Sequence, residues 1–118
     1  MAITGKYLFV ASMDVEPDKE ALFNEVYDTE HVPLLSQVPG VISIARFKTT
    51  ELTMIMGGES RTIVVENEPT YSATYELESP DVLVSEAWAN SVDQGRWPDQ
   101  VRPFTKNRRH VLHQLILP

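Results

Sequence analysis

The 118-residue chain is 42% hydrophobic and 23% charged, the composition of one globular domain (1–118) long enough to bury a core without staples. Its net charge of −7 argues against nucleic acid as a partner, and no apolar run approaches the ~20 residues of a membrane span. Zero cysteines exclude disulfides, thiolate metal sites and cysteine nucleophiles; the opening MAITGKYLFVASMD lacks the basic start and long apolar stretch of a secretion signal, so a cytoplasmic protein is expected.

Residues 6–14, KYLFVASMD, read as a short strand rich in β formers. A helix follows over VEPDKEALFNEVYDTEHV, where Pro17 suits the first position and Asp18 and Glu20 suit the positive end of the dipole. Leu22 pairs with Val26, and Phe23, Tyr27 and His31 form an i, i+4, i+8 stripe. Pro33 disfavours helical geometry at Val32, so the helix is expected to end or kink there, with a short turn PLLSQV before Pro39-Gly40. VISIARFKT, 41–49, reads as a strand with apolar side chains on both faces. LTMIM and RTIVV flank Gly57-Gly58-Glu59-Ser60 as a hairpin, either an extension of the preceding strand or an inserted arm. TYSATYELE alternates Tyr71, Ala73, Tyr75 and Leu77 against Ser72, Thr74 and Glu76. Ser79-Pro80-Asp81 starts a second helix, expected to bury Val82, Leu83 and Ala87 and to fade near Gly95. DQGRWPDQVRPF reads as a loop. In the last strand, NRRHVLHQLIL, His110 and Leu112 share one face while Val111 and His113 share the other.

This order, β-α-β-(hairpin)-β-α-β, predicts an α+β domain: a four-stranded antiparallel sheet with two helices on one face. The other face has no cover of its own, yet the strands carry apolar residues at both parities. A second copy packing sheet on sheet is the natural cover, so a homodimer is expected.

Tyr27-Asp28-Thr29-Glu30-His31-Val32-Pro33-Leu34, followed by Val38-Pro39-Gly40-Val41, resembles the signature of the EthD-like family within the dimeric α+β barrel (ferredoxin-like) superfamily. Residues 75–88, YELESPDVLVSEAW, resemble uncharacterised relatives of the same group. The resemblance covers roughly 7–49 and 70–117 and implies a ferredoxin-like βαββαβ fold with an extra hairpin. It also implies a small cofactor-free enzyme of isomerase, cyclase or lyase type, acting on an aromatic, polyketide-like or lactone molecule. A non-catalytic ligand-binding or accessory dimer and a cofactor-free monooxygenase are the alternatives.

His31 is the first candidate for chemistry. A helix C-terminus favours its imidazolium and burial favours the neutral ring, and these opposed effects predict a pKa near neutrality. The other reading makes it a helix cap bonded to a backbone carbonyl, although the resemblance implies a functional histidine here. Tyr27, one turn earlier, either assists His31 or packs in the core. Asp28 and Glu30 read as solvated helix charges. Tyr71, Tyr75 and Arg46, with Phe23 and His110, suit a pocket for an aromatic ligand bearing an oxyanion; alternatively the tyrosines are core and Arg46 pairs with Glu76. Trp88 and Trp97 line the pocket mouth or pack in the core. His110 and His113 have opposite strand parity, and no ligand spacing supports a metal or haem site. Residues 102–118 hold Arg102, Lys106, Arg108 and Arg109 and no acid, against seven acids in 1–30. This strip is expected to meet the acidic surface of the fold or of a partner subunit, with its excess solvated; an RNA-binding tail is the alternative.

Overall fold

The computed structural model describes residues 5–118, so the first four residues of the opening stretch lie outside the description. In chain order it contains β1 (Tyr7–Val15), α1 (Glu20–Val26), α2 (Val32–Ser36), β2 (Val41–Lys48), β3 (Leu52–Met56), β4 (Glu59–Ile63), β5 (Tyr71–Leu77), α3 (Glu86–Val92) and β6 (Thr105–Gln114). Strands β2, β5, β1 and β6, in that spatial order, form one four-stranded antiparallel sheet. This is the expected ferredoxin-like α+β arrangement. The β3–β4 hairpin is a separate two-stranded sheet, so it is an inserted arm rather than an extension of β2. Its neck is closed where Thr49 N–H donates to the Thr70 carbonyl and Thr49 Oγ1 donates to the Pro69 carbonyl.

The period-2 pattern of β5 places Tyr71, Ala73, Tyr75 and Leu77 in the core. Against that face pack Phe23, Val26 and Leu35, each without solvent exposure. Burial of such a side chain is worth about 1.5–3 kcal/mol, which is what holds the helical layer to the sheet. The opposite face of the sheet is open, with Phe47 55% and Val111 47% exposed.

Pro33 does not end the first helix. The backbone stays right-handed through Val32, and Tyr27–His31 widens into a π turn in which Val32 N–H donates to the Tyr27 carbonyl. A proline has no N–H to give to the carbonyl four residues back, and the wider register just before it lets the helix continue. The second helix departs from expectation in the other direction. Ser79 Oγ accepts from Asp81 N–H and opens a 3-10 turn over Pro80–Val84; Ser85, in extended backbone, then accepts from Trp88 N–H and starts α3 afresh. Two serine caps make two short helices where one was expected.

The stretch read as a loop is helical in part. A π turn over Trp97–Val101 and a 3-10 turn over Arg102–Phe104 each carry proline at an early position, where its missing N–H leaves no bond unmade. Trp97 and Val101 are buried by it. At the Pro39-Gly40 turn into β2, Gly40 has φ +92°, and a Cβ there would stand 2.4 Å from Val82 Cγ2; only glycine fits. Among the described residues no helix is long and apolar enough to cross a membrane.

Candidate functional site

The π turn in the first helix aims His31 between the helical layer and the sheet. Its ring stacks on Trp97 at 4.3 Å and meets Tyr27 edge-on at 5.1 Å. Tyr27 Oη and Tyr75 Oη are 3.2 Å apart, and burial raises both phenols above their ordinary value. The pair therefore holds two protons and uses one internally, leaving one to donate. These groups border a cavity of about 230 Å³ whose lining also includes Arg108 and His110 from β6, the latter stacked on Phe9, and Arg102 from the turn before that strand.

Trp97 reaches this site through a clamp from the first helix. Glu30 accepts from Arg96 N–H and, at 2.5 Å, from Arg96 Nε, while Glu25 accepts from another guanidinium nitrogen. Gly95, at φ +70°, lets the chain pass so close that a Cβ would stand 2.6 Å from Glu30 Oε1. Glu30 is thus a tether and not a solvated charge. Asp28 is likewise engaged, accepting from Arg46 at 2.7 Å.

His31 is 5% exposed, and its buried Nδ1 has no hydrogen-bond partner among the described residues; none is present at Nε2 either. Neither the near-neutral pKa nor the carbonyl bond of the capping reading is found. Burial, with the Arg102 cation second, pushes the imidazole down to about 4. The opposing dipole is missing because the helix runs on to Ser36, so His31 is not at a C-terminus. This shift has a consequence for stability. Because the folded pKa lies below the ordinary 6.5, the unfolded chain binds the extra proton, and stability is full above pH 6.5 and lost as pH falls toward 4. The loss from this group is about 3 kcal/mol. Urea midpoints at pH 7, 5.5 and 4 are expected to fall more steeply for wild type than for His31→Phe; parallel curves would contradict the burial of a neutral ring.

Of the seven predicted site residues, the cavity gathers His31, Tyr27, Tyr75 and His110. Arg46 lies behind it. Its guanidinium covers the Tyr27 ring at 4.4 Å and donates to Asp28 and Asn24, with Nε buried and unpaired. The alternative pairing with Glu76 fails on parity: Arg46 shares the helix-side face with Ala73, whereas Glu76 stands on the open face and accepts from Gly5 N–H and Ser43 Oγ. Tyr71 donates to Glu20 at 2.5 Å and packs on Phe23, and Phe23 is a core residue. His113 lies opposite Leu8, on the face away from His110. Arg102, Arg108 and both tryptophans are the lining that sequence reasoning undervalued. The basic strip divides: Arg102 pairs with Asp93 and Arg109 with Glu68, as expected, but Arg108 turns to the cavity. Among the described residues no three histidines or carboxylates gather where they could hold a metal ion.

No protein-family model matches the chain, and no curated protein does. Solved structures do. A Bordetella bronchiseptica protein assigned as an antibiotic biosynthesis monooxygenase aligns with TM-score 0.64 at 19% identity, over 97% of this chain and 100% of its own. The heme-degrader MhuD of Mycobacterium tuberculosis, solved with two hemes in its active site, aligns with TM-score 0.59 at 12% identity, over 95% and 97%. An ethyl tert-butyl ether D (EthD) family protein from Bacillus halodurans aligns with TM-score 0.55 at 12% identity, over 93% and 99%. With helices on one face of a β2-β5-β1-β6 antiparallel sheet, the chain has the ferredoxin-like α+β fold of these proteins, the fold that its His-x-Pro and Pro-Gly signature implied.

Proposed function

We propose that this chain is a small cofactor-free enzyme that binds an aromatic, polyketide-like or lactone molecule in the His31 cavity and moves a proton through His31, as an isomerase, cyclase or lyase. The observation that carries the reading is a buried imidazole bordering a cavity with no protein hydrogen bond on either nitrogen among the described residues. A buried polar atom without a partner costs ~1–3 kcal/mol, a cost relieved when a ligand supplies the partner. Neutral His31 accepts a proton from a carbon or hydroxyl of the ligand, and the electron pair left behind moves onto the conjugated oxygen. That oxyanion is met by the spare Tyr27–Tyr75 proton and the Arg102 charge. Unlike Arg102, the new anion favours the imidazolium, so the proton is held until it is returned to another atom. A cavity of about 230 Å³ is below the ~300–1,000 Å³ of drug-sized sites and suits one or two rings rather than a tetrapyrrole.

A cofactor-free monooxygenase is the second reading, favoured by the neighbour assigned to antibiotic biosynthesis monooxygenases. It would begin with the same deprotonation and then consume O2. A panel of lactones and electron-rich phenols, followed for product and with an oxygen electrode, separates the two. Product without oxygen uptake is expected; uptake in step with product supports the second reading, and binding with no product leaves the accessory dimer.

The homodimer belongs to the same proposal. Phe47, Val111 and Ile42 leave an apolar face in water that a second sheet would bury. Native mass spectrometry is expected to give twice the chain mass, and Phe47→Asp with Val111→Asp to give a folded monomer. A monomeric wild type would contradict it.

A further inference from the structure

The His31 cavity carries a charge pattern at odds with the chain around it. The protein has a net charge of −7, yet among the described residues no carboxylate lines the cavity, whose charged lining is Arg102 and Arg108. Arg102 is engaged, donating to the Val92 carbonyl and to Asp93. Arg109 donates to the Asn67 carbonyl and faces Glu68, and Lys106 lies within electrostatic reach of Asp14. Arg108 has no hydrogen-bond or ion-pair partner among the described residues, although it stands in the same strand. Its charge reaches inward, adding to burial in lowering His110 and opposing burial at Tyr27. A free arginine on an exposed edge is ordinary; one that borders an acid-free cavity with aromatic walls concentrates anions there.

We infer that the cavity takes an aromatic carboxylate, its ring held against Trp88 and Trp97 and its carboxylate paired with the Arg108 guanidinium. This rests on the reading of the cavity as a small-molecule site and adds the substrate class. The planar guanidinium fork matches a carboxylate with two parallel hydrogen bonds, which a neutral amide cannot reproduce. Trp88 stands edge-on to Phe9 and Tyr75, so two of the cavity's aromatic walls come from opposite layers of the fold.

The two tryptophans of the chain both line this cavity, so a 15N-labelled sample has two indole N–H signals and each reports on its filling. Naphthalene-2-carboxylate and naphthalene-2-carboxamide, equal in shape and different in charge, are the probes. The carboxylate is expected to shift both signals and to bind at least ~10-fold more tightly than the carboxamide, the scale of one charge-assisted pair. Arg108→Gln is expected to bring the carboxylate down to the carboxamide's affinity and leave the carboxamide unchanged, and Arg108→Lys to restore part of the difference. The remaining amide signals check that each variant is folded. Equal binding of the two probes, or a preference that survives Arg108→Gln, overturns the inference and leaves the cavity as an aromatic site. If neither probe moves the indole signals, the inference and the reading beneath it fall together.

Discussion

His31→Ala is expected to lower turnover ~10²–10⁴-fold on any substrate the panel of lactones and phenols yields, with the fold intact. The expectation follows from the surroundings of the ring. Trp97 at 4.3 Å and Tyr27 at 5.1 Å fix its plane, while no protein group occupies its nitrogens among the described residues. A structural histidine has the reverse profile, with both nitrogens engaged and replacement costly. His31→Phe makes the contrast sharper. It removes the orphaned polar atom and keeps the stacked ring, so stability is expected to rise by about 1–2 kcal/mol while turnover is lost. Urea denaturation beside a turnover assay measures both. A destabilised His31→Phe that still turns over would place His31 in the core and remove it from the chemistry.

The second large effect is expected at Phe23. It has no exposed surface and meets the rings of Tyr27, Tyr71 and Trp97 within 6.0 Å, so it supports three walls of the helix–sheet interior at once. Phe23→Ala is expected to cost ~3–5 kcal/mol, from lost transfer energy plus the cavity left behind. That is a large part of the ~5–15 kcal/mol available to a domain, and Phe23→Leu is expected to cost well under half as much. Urea midpoints at fixed protein concentration measure this. A cost below ~1 kcal/mol for Phe23→Ala would mean that the interior collapses freely, and would return Phe23 to the ligand-binding residues.

What was legible in the sequence follows from how local each signal is. The alternation of Tyr71, Ala73, Tyr75 and Leu77 and the Phe23, Tyr27, His31 stripe are set by backbone period alone, and both faces lie where expected. The π turn was hidden because its cause, the missing N–H of Pro33, reads in sequence as a stop signal. Its consequence was the wrong pKa: a helix assumed to end at His31 lends a dipole that the continuing helix lacks. Arg46 was placed on the correct face, but which partner it takes depends on where Asn24 and Asp28 lie across the layer, which strand parity does not encode. Trp97, Arg102 and Arg108 lie some seventy residues from His31. They reach it through the Glu30–Arg96 clamp and the pairing of β6 with β1, both non-local. One signal for them was available: a run from Arg102 to Arg109 without an acid, shortly after Trp97-Pro98, is unusual in a chain of net charge −7.

The most direct test follows the three imidazoles by NMR through a pH titration, with and without naphthalene-2-carboxylate, using His31→Phe to assign the signals. The His31 ring is predicted to stay neutral down to about pH 4 in the free protein, and to shift when the carboxylate fills the cavity. A His31 that titrates at the ordinary 6.5 and ignores the ligand would contradict both the buried neutral base and the site built around it.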